Sequence, residues 1–228
     1  MADIKINGAT PSGFYYGGTA AEAVYYGSTK LWEPAPAGAV IGGKTYPTVT
    51  LPDGHEWLAV NLDYAWTGLS VPTSGASASS SPQAMYFNYD EATYGWSGLQ
   101  RGLLYNHYAV SYLETNKATL CPGWHVPTQA EFDALVTALG ANPATKLKST
   151  TGWNSNNGTD DYGFAGYPSG YFTNSSVFSY MSDVLYFWTT TVSSPFAMTD
   201  YMWSTNQSVT SGSMSRQHQL SVRLIKDY

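Results

Sequence analysis

The most regular hydrophobic pattern in the chain runs from Phe132 to Leu139. Phe132, Leu135, Val136 and Leu139 recur at i, i+3, i+4 and i+7, which places one apolar stripe on a helix. Thr128 stands before the stripe and Glu131 three residues after it. That is a capping box, in which side chain and backbone each satisfy a donor of the other residue. Gly140 follows as the stop, where the backbone turns to positive φ. The pattern predicts an amphipathic helix with one apolar face lying on a sheet.

Elsewhere the pattern is that of short strands. Thr45, Val49 and Leu51 suit strands, Pro52-Asp53-Gly54 is a turn signal, and Trp57-Leu58-Ala59-Val60 follows; together they predict a hairpin. Leu103 to Val110 fits a short helix or a strand, and periodicity does not decide between them. Val71 to Gln83 is rich in Ser, Ala, Gly and Pro without period and predicts an exposed loop. Met85 to Leu113 is rich in aromatic residues. After Lys146 helical periodicity disappears, and apolar runs alternate with Gly, Asn, Ser and Thr. Leu220 to Lys226 alternates well enough for a terminal strand with Leu220, Val222 and Leu224 on one face.

The first 32 residues form a separate unit. Tyr15-Tyr16-Gly17-Gly18-Thr19 is echoed ten residues later by Tyr25-Tyr26-Gly27-Ser28-Thr29, and both read as strand ends entering hairpin turns. A unit this small buries little core alone, so it is expected to dock on its own oligomer or on a larger assembly. Residues 33–39, with two prolines, read as a stiff linker. Residues 40–228 are the main domain.

Composition narrows the function. Charged residues are 11% and aromatics 15%, with 19 Tyr and 8 Trp. Solubility therefore rests on Ser, Thr, Asn and Gly, and the combination of Tyr and Trp with short polar residues is that of recognition surfaces. β-Rich proteins also enrich aromatics in their strands. The net charge of −6 and the scattered basic residues argue against nucleic-acid binding. No apolar run is long enough for a membrane span, and the N-terminal residues lack the regions of a signal peptide. Cys121 is the single cysteine, which rules out an internal disulfide.

Four constellations invite chemistry. Cys121 and His125 suggest a thiol with a base, but Cys121-Pro122-Gly123 reads as a turn and no third, orienting residue is marked. His55, His107, His125 and His218 show no ligand spacing for zinc. Asp160 and Asp161, with Asn156, Asn157 and Gly158, gather hard oxygen donors, so calcium is a candidate there. Without EF-hand spacing, the preferred reading is a turn. No other cofactor is indicated. The acids, among them Glu56, Glu91, Glu114 and Asp133, show no recognisable pairing.

The strongest candidate is the stretch from Tyr171 to Gln219. Its candidate ligand-binding residues are Tyr171, Tyr180, Tyr186, Phe196, Met198, Asp200, Tyr201, Trp203, Asn206, Arg216 and His218. Exposed aromatics rimmed by small polar groups make binding patches. Alternation places Met198, Asp200 and Met202 on one face and Thr199, Tyr201 and Trp203 on the other, and leaves open which face is out.

Several blocks carry a family resemblance. They are Leu103 to Val110; Leu120-Cys121-Pro122-Gly123-Trp124-His125-Val126-Pro127-Thr128; Lys146-Leu147-Lys148-Ser149; Gly152-Trp153; Gly163 to Gly170; Phe187-Trp188-Thr189-Thr190-Thr191; and Ser221 to Asp227. In order and spacing they resemble the Fibrobacter succinogenes major paralogous domain. The resemblance implies an α+β C-type-lectin-like fold of the formylglycine-generating-enzyme-like branch. That branch includes the variable proteins of diversity-generating retroelements, which carry a hypervariable C-terminal region before a conserved last strand. It also implies that Phe187 and Trp188 are buried and that Arg223 is structural. The family's cysteine after its Val-Arg pair is replaced by Leu224, and the sugar-binding tripeptides of calcium-dependent lectins are missing.

The expectation is a non-enzymatic receptor-binding protein of a phage or prophage tail. It is made in the bacterial cytoplasm, carried on the virion as a homo-oligomer with other tail proteins, and recognises a bacterial surface protein or glycan. The alternative is an adhesin of the bacterial surface on the same fold. An enzyme acting on glycans or peptides is the remaining reading.

Overall fold

The computed structural model describes residues 15–16, 19–20, 24–26, 29–32, 38–71, 79–85, 102–175 and 177–228. Most of the predicted loop from Val71 to Gln83, residues 86–101 of the aromatic-rich segment, and most of the 33–39 linker lie outside them. The chain divides into two compact units, Met1–Ala37 and Gly38–Tyr228. In the first, β1 (Tyr15–Tyr16) pairs with β2 (Thr19–Ala20), and β3 (Val24–Tyr26) with β4 (Thr29–Trp32), each antiparallel.

The second unit is α+β. It opens with a hairpin absent from the sequence expectation. β5 (Ala39–Ile41) turns at Gly42-Gly43 into β6 (Lys44–Tyr46). The predicted hairpin follows as β7 (Thr48–Thr50) and β8 (Glu56–Leu58). Asp53 builds its turn, accepting from the His55 N–H (3.1 Å) and the Trp57 indole N–H (3.0 Å). β8 continues through β18 (Ile225–Lys226) to β11 (Trp124–His125), so the two ends of the unit close one four-stranded sheet.

The ambiguous segment is both strand and helix. β10 (Leu104–Asn106) runs straight into α1 (His107–Thr115) because Asn106 is extended and its side chain accepts from the Ala109 N–H, capping the helix. A short α2 (Lys117–Leu120) leads to β11. The predicted amphipathic helix is α3 (Gln129–Leu139), with Phe132, Leu135 and Leu139 buried and both bonds of the capping box present. The Glu131 N–H donates to Thr128 Oγ1 (3.2 Å), and the Thr128 N–H donates to the Glu131 carboxylate (2.7 Å). Thr128→Ala is expected to cost about 1 kcal/mol, read as a lower urea midpoint with an unchanged slope. Helicity continues slightly past Lys146, in α4 (Pro143–Leu147).

Two further sheets complete the unit. A five-stranded sheet runs β13 (Phe178–Ser179), β12 (Tyr171–Phe172), β17 (Gln219–Leu220), β10, β9 (Ala84–Met85). A three-stranded sheet runs β14 (Val184–Ser193), β15 (Phe196–Trp203), β16 (Val209–Ser215), all antiparallel. Bridges from Gly170 to Leu185 and from Phe187 to Ser221 join these sheets.

The last segment corrects the sequence reading. Leu220 to Lys226 is not one strand: β17 and β18 belong to different sheets, with residues 221–224 between them. The face assignment survives, since Leu220, Val222 and Leu224 share one core cluster while Ile225 enters the second, with Trp57, Phe132 and Phe187. The break is built around Arg223, which is fully buried. Its Nε–H donates to Asn61 Oδ1 (2.7 Å), Nη1 to the carbonyls of Leu58 (2.8 Å) and Phe164 (2.6 Å), and Nη2 to that of Ala165 (3.1 Å). Arg223 is structural, as the resemblance implied.

Candidate functional site

The three-stranded sheet has two unlike faces, set by the two-residue period of strands. Cross-strand pairs Leu185↔Met202 and Phe187↔Asp200 define one face. There Leu185, Phe187 and Met202 pack with Phe132 and Leu135 of α3. Pairs Val184↔Trp203, Tyr186↔Tyr201 and Trp188↔Thr199 define the other. α1 meets this face at one end: the His107 ring lies 5.1 Å from the buried Trp188, whose indole N–H donates to the Tyr105 carbonyl (2.7 Å). The outward face is therefore that of Tyr201 and Trp203.

Toward its other end this face carries a connected set of rings. Trp203 meets Tyr180 edge-on at 5.3 Å, and Tyr180 stacks on Tyr171 at 6.0 Å. Tyr171 meets Tyr186 at 5.4 Å and His218 at 5.8 Å, and Tyr186 meets Tyr201 at 4.8 Å. These residues come from β12, the 180–182 turn, β14, β15 and the entry to β17, so both sheets contribute to one array. Each such ring pair adds roughly 0.5–1.5 kcal/mol beyond its buried area, which holds the rings in fixed relative positions.

Local backbone chemistry presents the array. Tyr180 has φ of 56° and is 54% exposed. A bulky residue in the left-handed region costs about 1–2 kcal/mol, so the turn holds an aromatic outward against its own preference. Gly170 permits the turn: a Cβ there would meet the Ser179 carbonyl at 2.4 Å. Gly212, opposite Thr199 on β16, leaves room for the Tyr201 ring to lean across the strand, its Cε1 3.2 Å from where a Cβ would stand. Lys148, in the Lys-Leu-Lys-Ser block, is buried beneath the far end of β15 and donates to the carbonyls of Trp203 (3.3 Å) and Asn206 (3.1 Å). Its supporting role escapes periodicity, because a buried ammonium bonded only to carbonyls leaves no mark in sequence.

The array is neutral. Burial, then the neighbouring phenols, pushes the Tyr186 hydroxyl up to about 12, and Tyr171 is also raised, by burial and then by Tyr180. Burial lowers His218, whose Nδ1 is buried without a partner among the described residues. Thr199 Oγ1, beside the Tyr201 ring, is likewise buried and unpartnered among them.

Not every predicted site residue joins the array. Asp200 and Met198 point to the α3 face and are withdrawn from the candidate surface. Asp200 is 1% exposed and accepts from Ser211 Oγ (2.7 Å) and Gln129 Nε2 (2.8 Å). Phe196 is exposed but sits at the tip of the β14–β15 hairpin, paired with Ser193. Asn206 is exposed in the β15–β16 turn, where its side chain accepts from the Ser208 N–H. Arg216 packs on α1, its guanidinium 4.5 Å over the Tyr108 ring.

Burial pushes the Asp200 carboxyl up to about 6 from its ordinary 3.8, against the hydrogen bonds from Ser211 and Gln129. Between those values the unfolded chain gives up this proton first, so this group makes stability fall as pH rises through the window. The full cost, at most about 3 kcal/mol, is present above it. Asp200→Asn is expected to remove that fall, seen as a stability difference from wild type that grows between about pH 4 and pH 7 in urea titrations.

The other constellations resolve into structure. Cys121 is buried, its Sγ donates to the Trp124 carbonyl (3.3 Å), and burial, then Glu114 and Asp227, pushes it up to about 12. The His125 ring nitrogens face Asp227 (2.6 Å) and Glu131 (2.9 Å), not the thiol. Asp160 has φ of 49° and accepts from the Ala165 N–H (2.7 Å), as a turn residue does. Among the described residues no group of His, Cys, Asp or Glu comes together that could hold a metal ion. No helix among them is long and apolar enough to cross a membrane.

No curated protein and no solved structure matches the chain. The Fibrobacter succinogenes major domain family matches over residues 53–226, which span β8 to β18 and so the aromatic array and the Arg223 closure. The chain belongs to the Fibrobacter succinogenes major domain family.

Proposed function

We propose that the second unit is a ligand-binding domain of C-type-lectin-like architecture, and that the protein is a receptor binder of a phage or prophage tail. The observation that carries the reading is the array of Tyr171, Tyr180, Tyr186, Tyr201, Trp203 and His218, joined ring to ring on the open face of a sheet packed on the core. Rigid aromatics contribute contact area at little entropy cost, and unpartnered hydroxyl and imidazole groups among them supply hydrogen bonds. The β-hairpins of the first unit serve attachment to other tail proteins or to further copies of the chain, and many copies on one particle offset modest affinity at each site.

The test is binding of the labelled full chain to a panel of intact bacteria. Saturable binding to some strains and not others is expected, and protease or periodate treatment of the cells distinguishes a protein receptor from a glycan. Absence of saturable binding on every strain counts against the reading. Flanking DNA with a reverse transcriptase gene, and a near-copy of the Tyr171–Asp227 codons differing at adenines, marks a diversified binder. A flanking run of tail genes separates the virion role from a bacterial adhesin.

A further inference from the structure

Arg216 is the exception among the basic side chains described. Lys44, Lys117 and Lys226 pair with carboxylates. Lys146, Lys148 and Arg223 donate to backbone carbonyls. The Arg216 guanidinium meets neither a carboxylate nor a carbonyl among the described residues, yet it is held on three sides. Its Nε–H donates to His107 Nδ1 (3.3 Å), Nη2 donates to Ser111 Oγ (3.2 Å), and its plane covers the Tyr108 ring.

All three supports lie on α1, two of them in its first turn, and the His107 N–H donates to the Arg216 carbonyl (2.9 Å). The first turn of a helix carries positive potential, and that of α1 contains no acidic residue. A cation is thus fixed where the helix already disfavours one. His107 does not relieve it by charge: burial, with Arg216 adding to it, brings that imidazole down to about 4, so it is neutral and acts as an acceptor. Stapling the 216–218 turn to α1 accounts for Nε, one Nη2 hydrogen and the stacked face. It leaves the Nη1 hydrogens and the other Nη2 hydrogen unused, and these form the fork that matches an oxyanion.

We infer that Arg216 is the recognition point for an oxyanion, a carboxylate, sulfate or phosphate, carried by the ligand that covers the aromatic array. The same turn connects the two features, since His218 stands two residues on with its ring 5.8 Å from Tyr171. This inference rests on the reading of the array as a ligand surface and adds to it that the ligand is acidic at one end.

The test uses the 15N-labelled full chain with acetate, inorganic sulfate and inorganic phosphate as probes, against sodium chloride at matched ionic strength. A saturable shift of the Arg216 Nε–H and Tyr108 amide signals with at least one oxyanion is expected. It is lost in Arg216→Gln and weakened roughly tenfold or more in Arg216→Lys, which keeps the charge but not the fork. No saturable shift with any probe, a Tyr108 shift that persists in folded Arg216→Gln, or equal affinity in Arg216→Lys overturns the inference. If Arg216→Gln does not fold, the lysine variant and the wild-type titration decide it. Small anions read Arg216 alone, so failure here leaves the aromatic surface to be judged by its own variants.

Discussion

Arg223→Met is expected to abolish stable folding, or to cost at least about 3–5 kcal/mol where folding survives. The guanidinium lies in a cage of the Asn61 amide oxygen and the carbonyls of Leu58, Phe164 and Ala165, stacked 4.1 Å over the Phe164 ring. Burial alone pulls it down to about 9, which measures how poorly this interior tolerates charge. Methionine matches the volume but leaves buried acceptors unpaired, each costing about 1–3 kcal/mol, against a total stability of roughly 5–15 kcal/mol. Arg223→Lys supplies fewer donors in the wrong geometry and is expected to fall between the two. Circular dichroism with a urea titration checks both. The cage ties the 163–165 turn to the crossing between two sheets, so its loss also loosens the joint at which Tyr171 and Tyr186 meet.

The second large effect falls on binding. Tyr201→Ala and Trp203→Ala are each expected to weaken cell binding by about 2 kcal/mol or more, roughly thirtyfold, as central aromatic anchors do. Both side chains are half-exposed at the ends of edge-to-face contacts with Tyr186 and Tyr180, so truncation removes a ligand contact and frees a neighbouring ring. Stability is expected to change little, because neither belongs to the buried core. Phe196→Ala and Met198→Ala, outside the array, are expected to bind as wild type does.

Local rules made much of this legible. The α3 stripe, its capping box and the turn at Asp53 depend on neighbours in sequence, and each stands where its residues point. The two faces of β15 followed from alternation, but which face is open depended on where α3 lands, and that is a long-range packing outcome. Asp200 was therefore expected at the surface and lies beneath the sheet. The β5–β6 hairpin at Gly42-Gly43 was legible and passed unread. The split of the last segment was not, since Leu220 to Lys226 alternates as one strand while Arg223 draws carbonyls from two distant loops. In the array, Tyr171, Tyr180, Tyr186, Tyr201, Trp203 and His218 were named from composition. Their adjacency, and the supporting work of Lys148, Gly170 and His107, exists only in three dimensions.

The most direct test of the aromatic surface is saturation binding to a responsive bacterial strain by wild type, by Tyr201→Ala/Trp203→Ala and by Tyr112→Ser. Tyr112 is an exposed tyrosine at a separate place, stacked on Trp66. All three proteins are first matched for folded content by circular dichroism. The account predicts that the double variant loses binding by roughly a hundredfold or more while Tyr112→Ser binds as wild type does. Equal binding by the folded double variant and wild type would contradict it.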